Sequence, residues 1–389
     1  MRILAITNMY PSAVWPTSGV FVRQQIEGLT AIGLKVRVVF VDRLQKGPWV
    51  YYRLGQAVRR AMEEFAPGVV HVMYGGVMAA QVMREPGLPP VVLTFHGSDL
   101  LGENFSGLFR KVVSHYGVLC SRRAARRAQG VVVVARHLIR ALGNAISPER
   151  IQVIPNGVNL DHFKPLDHGV CQGRLGWEPG RFQVLFADNN GNPAKRPGLA
   201  RAAVESLEAN GTPARLHFLS GVPYAEVPVW MGASDALLLT SSQEGSPTVV
   251  KEALACGVPV VSVDVGDVAG QLAAAQGCYL AKAEPGDLAL KLERVFEHRQ
   301  RVDCRARLKE VCHIAVAHRL EDFYREVLSA HQTSPLALPP SLDQRQDLPK
   351  LAGACLPEPF EERHFRRHHD CPGLAHPLQP QAVVFRRPR

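Results

Sequence analysis

The chain has 389 residues, is 46% hydrophobic and carries a net charge of +10. That length predicts two domains, with apolar residues enough for a core in each, and it excludes a globally disordered chain. No apolar run reaches the roughly 18 residues of a membrane span, and residues 1–6 pass straight into strand character without a signal peptide, which predicts a cytoplasmic protein.

The charge is uneven. Residues 1–165 hold 20 Lys/Arg against 9 Asp/Glu, whereas residues 166–330 hold 17 against 20. A basic first half predicts an anionic partner there, nucleic acid or an anionic lipid surface. Eight cysteines lie scattered without paired close spacing, so they read as reduced thiols rather than a disulfide frame or a zinc site.

In chain order, Arg2 to Thr7 predicts a strand, Asn8 to Gly19 a Pro/Ser/Gly loop, Val20 to Ile32 an amphipathic helix and Leu34 to Asp42 a second strand. This is a βαβ unit of a doubly wound sheet. Gly19 stands just before the helix, where a missing side chain lets a phosphate approach the amides. The loop has no G-x-G-x-x-G fingerprint, which argues against a nicotinamide-type domain. Tyr51 to Phe65 predicts a helix, and Val69 to Met73 and Val91 to Phe95 predict strands, the second ending in His96-Gly97-Ser98-Asp99. A His at the carboxyl end of a parallel strand can be structural or functional. Asp99 can orient it or cap the next helix.

Asn104 to Ala128 predicts a long helix, with a break near Gly117. Arg122, Arg123, Arg126 and Arg127 repeat every four residues and so share a face. That face is either simply solvated or a patch for an anionic membrane surface. Nucleic acid is disfavoured, since no stacking aromatics interleave with the basic residues. Gly130 to Val134 predicts a strand, Arg136 to Leu142 a helix, and VIPNGVN a strand ending in a turn. A linker is expected at about 160–180.

The second domain opens with the strand Phe182 to Ala187 and the loop DNNGNPAKRP, then the helix Leu199 to Glu208. Lys195 and Arg196 oppose the helix dipole unless an anion sits nearby, and cations there can clamp a diphosphate leaving group. Leu216 to Leu219 predicts a strand, and Val227 to Met231 a short helical piece. Next comes ASDALLLTSSQEGSPTVVKEALACGVPVVSVDVGD, residues 233–267. It predicts the strand Ala236 to Thr240, the loop Ser241 to Pro247, the helix Thr248 to Ala255 and the strand Val260 to Val263. Glu244 and Glu252 stand eight positions apart, and the amides of Ser246 and Thr248 lie at the helix start. Helices dominate after Asp267: one starts at Pro285 with Asp287 as its cap, another spans Gln300 to Leu328. From His331 onward ten prolines and the run EERHFRRHHD predict disorder.

The segment EGSP…KEA…G.PVV…D.G resembles the signature of retaining GT-B glycosyltransferases of family 4, in which two glutamates are likewise separated by seven residues. HGSD is similar to the family's H-G-x-D tract, and VIPNGVN…F.P to the segment that closes its first domain. The resemblance covers about 1–330. It implies an α/β GT-B fold, two Rossmann-like domains whose parallel sheets face an interdomain cleft: 1–165 on the acceptor side, and 166–330 on the donor side with a terminal helix returning to the first. It implies transfer of a hexose from a UDP-, GDP- or ADP-sugar to a glycan or lipid-linked acceptor, without metal or cofactor, at the inner face of the cell membrane in bacterial exopolysaccharide or cell-wall synthesis.

By the same resemblance His96 faces the transferred sugar, Glu244 contacts the hexose hydroxyls and Glu252 holds the ribose, whose vicinal diol a carboxylate can bind with two hydrogen bonds. The loop Gly245, Ser246, Pro247, Thr248 contacts sugar or phosphate, Gly19 lies over the pyrophosphate, and Lys195 stabilises the departing diphosphate. The family's Gly-Arg pair is absent, with Asp188, Asn189 and Asn190 in its place, so Arg196 is the candidate for the second positive charge. Two other readings remain at this stage, a nucleotide-sugar 2-epimerase on the same architecture and a non-catalytic anion- or membrane-binding protein.

Overall fold

The computed structural model describes residues 1–12, 14–103, 107–144, 146–188 and 192–333. Two parallel sheets carry the fold. The first contains β1 (Arg2–Thr7), β2 (Lys35–Phe40), β3 (Val69–Val72), β4 (Val91–Phe95), β5 (Gly130–Val133) and β6 (Ile151–Val153), in the order β2-β1-β3-β4-β5-β6. The second contains β7 (Phe182–Phe186), β8 (Ala214–Phe218), β9 (Ala236–Leu239), β10 (Val260–Val263) and β11 (Tyr279–Ala281), in the order β11-β10-β9-β7-β8. Most of these strands are short runs of Val, Leu and Ile because both faces of each sheet are covered. In β1, Leu4 and Ile6 pack with Val70, Val72 and Leu93, while Ile3 packs into the opposite layer with Val69, Val92 and Val132.

The terminal helix His313–Thr333 follows the second sheet in sequence but covers the first. Its Val316, Leu320, Phe323, Tyr324 and Val327 are buried against Ile3, Val92 and Val132. Within this layer the Tyr324 hydroxyl meets His71 Nδ1 at 2.7 Å, and His71 Nε2 meets Thr94 Oγ1 at 2.7 Å.

In each sheet the strand order reverses beside its first strand, between β1 and β3 and between β7 and β9. Ligands bind outside the carboxyl ends of strands at such points. The loops that leave there carry Gly19, Lys195 and Glu244, and β4 beside β3 ends in His96.

Several local expectations are corrected. The helix at 51–65 is a 3-10 segment, Pro48–Tyr52, followed by Leu54–Phe65. The basic helix is Leu108–Arg127 and runs unbroken through Gly117; Asn104 lies outside the described residues. Asp287 is not the cap of Pro285–His298, which Glu284 precedes; it sits in the first turn and accepts from the Lys282 amide. Residues 300–304 are not helical, and the helix breaks again at Cys312. Tertiary bonds override helix propensity there: Val302 donates to the Gly257 carbonyl, Arg305 to those of Leu160, Phe163 and Ala255, and Cys312 bridges Val158. The structure adds the strand β11 and the helices Gly76–Val82 and His168–Leu175, the last within the stretch expected as linker. The proline-rich tail from 334 lies outside the described residues.

Candidate active site

A cavity of about 340 Å³ lies between the halves, lined by Gly19, His96, Lys195, Glu244, Gly245, Ser246, Pro247, Thr248 and Glu252. These residues come from four separate stretches of sequence and both sheets. Two glycines make the approach possible. Gly19 has φ +67°, and a Cβ there would lie 2.2 Å from the Met9 carbonyl carbon. A Cβ on Gly245 would lie 1.9 Å from the His96 carbonyl oxygen, so the loop after β9 meets the end of β4 through bare main chain.

Lys195 Nζ donates to Glu244 Oε1 at 2.6 Å, and the two side chains are 17% and 15% exposed. An ammonium has three donors, so two stay available to a ligand while the pair fixes both side chains. Arg196 is placed differently. Its guanidinium donates to the carbonyls of Thr240 and Ser241, bracing the loop after β9, and it does not line the cavity. Asn189 and Asn190 lie outside the described residues.

His96 Nε2 lies 3.1 Å from the Met73 carbonyl, and its ring packs against Phe21 and Tyr74 at centroid distances of 4.6 and 6.1 Å. Burial pulls its pKa down to about 4, beyond what the Met73 carbonyl and Asn156 side chain restore. The imidazole is neutral at pH 7, and because a carbonyl can only accept, Nε2 carries the proton and Nδ1 the lone pair. Asp99 does not touch the ring. Its carboxylate accepts from the amides of Gly75, His96 and Gly97 at 3.0, 3.0 and 2.9 Å, which fixes the turn that carries His96. Burial nevertheless lifts its pKa to about 6.

Glu252 also lines the cavity. Desolvation raises its pKa to about 7, only partly countered by the Lys251 charge and a hydrogen bond from Thr248. The helix Thr248–Ala255 begins after Pro247 without a side-chain cap, so its first-turn amides are open to a ligand.

Three residues not singled out in the sequence shape the site. Lys251 is 2% exposed, and its Nζ donates to the Asn156 carbonyl at 3.0 Å and Ser246 Oγ at 2.6 Å, tying donor loop to first half. Tyr224 lines the cavity, stacks on His162 at 4.4 Å, and its hydroxyl accepts from Gln24 at 2.5 Å. Phe21 packs on His96.

The basic face on Leu108–Arg127 is smaller than expected. Arg122 donates to the Ala141 carbonyl at 2.9 Å, leaving Arg123, Arg126 and Arg127 exposed. The same helix exposes Leu108, Phe109, Val112, Val113 and Tyr116. Among the described residues no helix is long and apolar enough to cross a membrane.

Comparisons agree with this architecture. Residues 18–162 match the model Glycosyltransferase Family 4, and residues 200–311 match Glycosyl transferases group 1. A putative teichuronic acid biosynthesis glycosyltransferase, TuaC of Bacillus subtilis, is 28% identical over 77% of this chain and 90% of its own length. D-inositol 3-phosphate glycosyltransferase 1 of Catenulispora acidiphila is 28% identical, over 54% of this chain and 61% of its own. The sucrose-phosphate synthase of Thermosynechococcus elongatus superposes with a TM-score of 0.69 at 16% identity, covering 85% of this chain and 99% of that one. HepE of Anabaena, solved with UDP and glucose, gives 0.58 at 16% identity over 86% and 100%. With a glycosyltransferase model matched in each half and the two parallel sheets in place, the chain is a glycosyltransferase of the GT-B fold.

Proposed function

We propose that the protein transfers a hexose from a nucleoside-diphosphate sugar to a glycan or lipid-linked acceptor, with retention at the anomeric carbon and without a metal ion. The observation that carries this is the single cavity in which Lys195, Glu244, Glu252, His96 and Gly19 converge. Glu252 holds the ribose diol, Glu244 the hexose hydroxyls, and the lone pair on His96 Nδ1 accepts from a sugar hydroxyl. Lys195 and the open amides at Thr248 meet the diphosphate, whose charge grows as its bond to the anomeric carbon breaks. Arg196, held on the Thr240 and Ser241 carbonyls, supports the loop and not the phosphate. The acceptor oxygen attacks from the leaving-group face and its proton passes to the departing phosphate oxygen, so both bonds change on one side of the sugar.

UDP-sugars are the first donors to test, because HepE is solved with UDP-glucose. The TuaC likeness supports a bacterial cell-surface polysaccharide as product. The exposed apolar residues of Leu108–Arg127, continuous with three arginines, support peripheral binding to an anionic membrane surface on the acceptor side. Calorimetry with UDP-, GDP- and ADP-glucose is expected to give one strong binder, and the product's anomeric coupling is expected to match the donor's. No binding by any of the three, inversion of the anomer, or an epimerised sugar released without acceptor overturns the proposal.

A further inference from the structure

A larger cavity, about 1080 Å³, lies in the first half between the helices Leu54–Phe65 and Leu108–Arg127. It lies beside the donor cavity, which His96 lines. Tyr74 lines the larger cavity and stacks on the His96 ring, and its hydroxyl shares a 2.7 Å hydrogen bond with Ser98, another lining residue.

The charges in it are matched in a particular way. Arg43, Arg59 and Arg84 face Glu85, Asp99 and Glu103. Glu85 is paired with Arg59, and Asp99 is closed by three backbone amides. Arg84 reaches only the neutral Gln81 amide, at 3.4 Å, and neither it nor Arg43 has an ion-pair partner among the described residues. Two guanidinium groups therefore stand against the single carboxylate of Glu103. Asn8, 6% exposed, lines the same cavity, and its Oδ1 has no hydrogen-bond partner among the described residues. A buried acceptor left this way costs about 1–3 kcal/mol unless a ligand or water donates to it.

We infer that this cavity is the acceptor subsite, and that it takes an acceptor carrying a carboxylate or phosphate group, held by Arg43 and Arg84 while Asn8 Oδ1 accepts from a sugar hydroxyl. The inference rests on the transfer reaction proposed above. Guanidinium binds such anions through paired, charge-assisted hydrogen bonds that a neutral sugar cannot make. Trp49 and Tyr52, stacked at 5.6 Å and both exposed, stand at the cavity's outer edge, where Tyr52 lines it, so an apolar aglycone can leave past them.

Gly117 supplies the test. It lines the cavity from the middle of Leu108–Arg127, and a Cβ there meets nothing within 4 Å. G117W therefore projects an indole into the cavity from an unobstructed Cβ. With UDP saturating the donor site, three probes are titrated by calorimetry: p-nitrophenyl β-D-glucuronide, α-D-glucose 1-phosphate and p-nitrophenyl β-D-glucoside. The first carries its charge on the sugar ring and the second at the anomeric position, so together they distinguish the two sources of anion. At least one is expected to bind tenfold or more tighter than the neutral glucoside. G117W is expected to abolish that binding, R43Q and R84Q to reduce the anion preference at least fivefold, and all three to keep UDP affinity within twofold. Equal binding of charged and neutral probes, no binding of either anion at millimolar concentration, or undiminished binding in a folded G117W overturns the inference. Absence of UDP binding in the unmodified protein would instead strike the donor site, a separate readout.

Discussion

Glu252→Gln is expected to make the protein more stable and its donor site worse. The cause is one carboxylate held in a place that disfavours its charge. Folding raises the Glu252 pKa to about 7, whereas in the unfolded chain it lies near ~4.3. Below the unfolded value both states are protonated and the favourable difference is fully present. It is lost as pH rises through the folded value, where the folded protein must hold an ionised, poorly hydrated carboxylate. The difference corresponds to about 2–4 kcal/mol at pH 8, the upper figure for the whole rise from ~4.3 to about 7. Gln keeps the shape without the charge, so urea denaturation without nucleotide should show E252Q more stable than the parent at pH 8 and no more stable at pH 4. Calorimetry at pH 8 should show nucleotide-sugar affinity falling at least tenfold, about 1.4 kcal/mol, because an amide accepts fewer hydrogen bonds from the ribose diol than a carboxylate. The parent's affinity should rise between pH 6 and pH 8 as Glu252 ionises, and that rise should vanish in E252Q. His96, with its pKa near 4, stays neutral across this range and contributes nothing to it. A variant that loses stability at pH 8, or binds donor as the parent does, refutes the reasoning.

Lys195→Ala removes the cation beside the expected leaving group. Transfer rate should fall by roughly 10²–10³-fold with a smaller change in donor affinity, and a loss under threefold in a steady-state assay contradicts the assignment. Gly245→Ala puts a Cβ 1.9 Å from the His96 carbonyl oxygen. The loop must move by about 1 Å or more, so activity should drop on the order of 10²-fold while circular dichroism stays native; full activity shows that the contact is dispensable. Lys251→Met leaves Ser246 Oγ and the Asn156 carbonyl without their donor and should cost about 1–3 kcal/mol by urea titration, a cost absent if the amine only fills space. Replacing Arg123, Arg126 and Arg127 together by Gln should weaken sedimentation with anionic vesicles at low salt by up to about 3 kcal/mol, roughly 1 kcal/mol for each, and unchanged sedimentation removes the membrane surface from the account.

Much of the fold is visible in the sequence because its signals are local. Val91 to Phe95, Thr248 to Ala255 and Val260 to Val263 keep their expected boundaries, since each is a short apolar run bounded by Gly, Pro or polar residues. The stretch 300–312 reads as helix by composition, yet only Arg305–Leu308 is α-helical and Lys309–Val311 3-10, with 300–304 and Cys312 outside any helix. What decides it are bonds to Gly257, Leu160 and Val158, residues distant in sequence. The same limit applies to Arg196. Beside Lys195 it looks like a second phosphate clamp. Its left-handed backbone, φ +53°, instead turns the side chain onto two carbonyls, and nothing in the order KRP encodes that turn.

The least legible features are those in which one residue serves both halves. Lys251 reads as one more polar position in a helix start. Buried, it holds Ser246 in the donor loop and Asn156 in the first half at once. Gly97 and Gly245 read as turn residues, yet a Cβ on Gly97 would lie 3.2 Å from the Gly245 amide nitrogen. The loop carrying Glu244 is thus held by main-chain contact with the strand end that carries His96. His96 and Glu244, from opposite halves, are positioned by the same contact, so a substitution that loosens it should reduce donor binding and transfer together. Within the first half, Asp99 sets the His96 turn through three amides. That makes the HGSD tract a structural unit that places one neutral imidazole at the cavity, with the Asp99 carboxylate engaged by main-chain amides rather than by the ring.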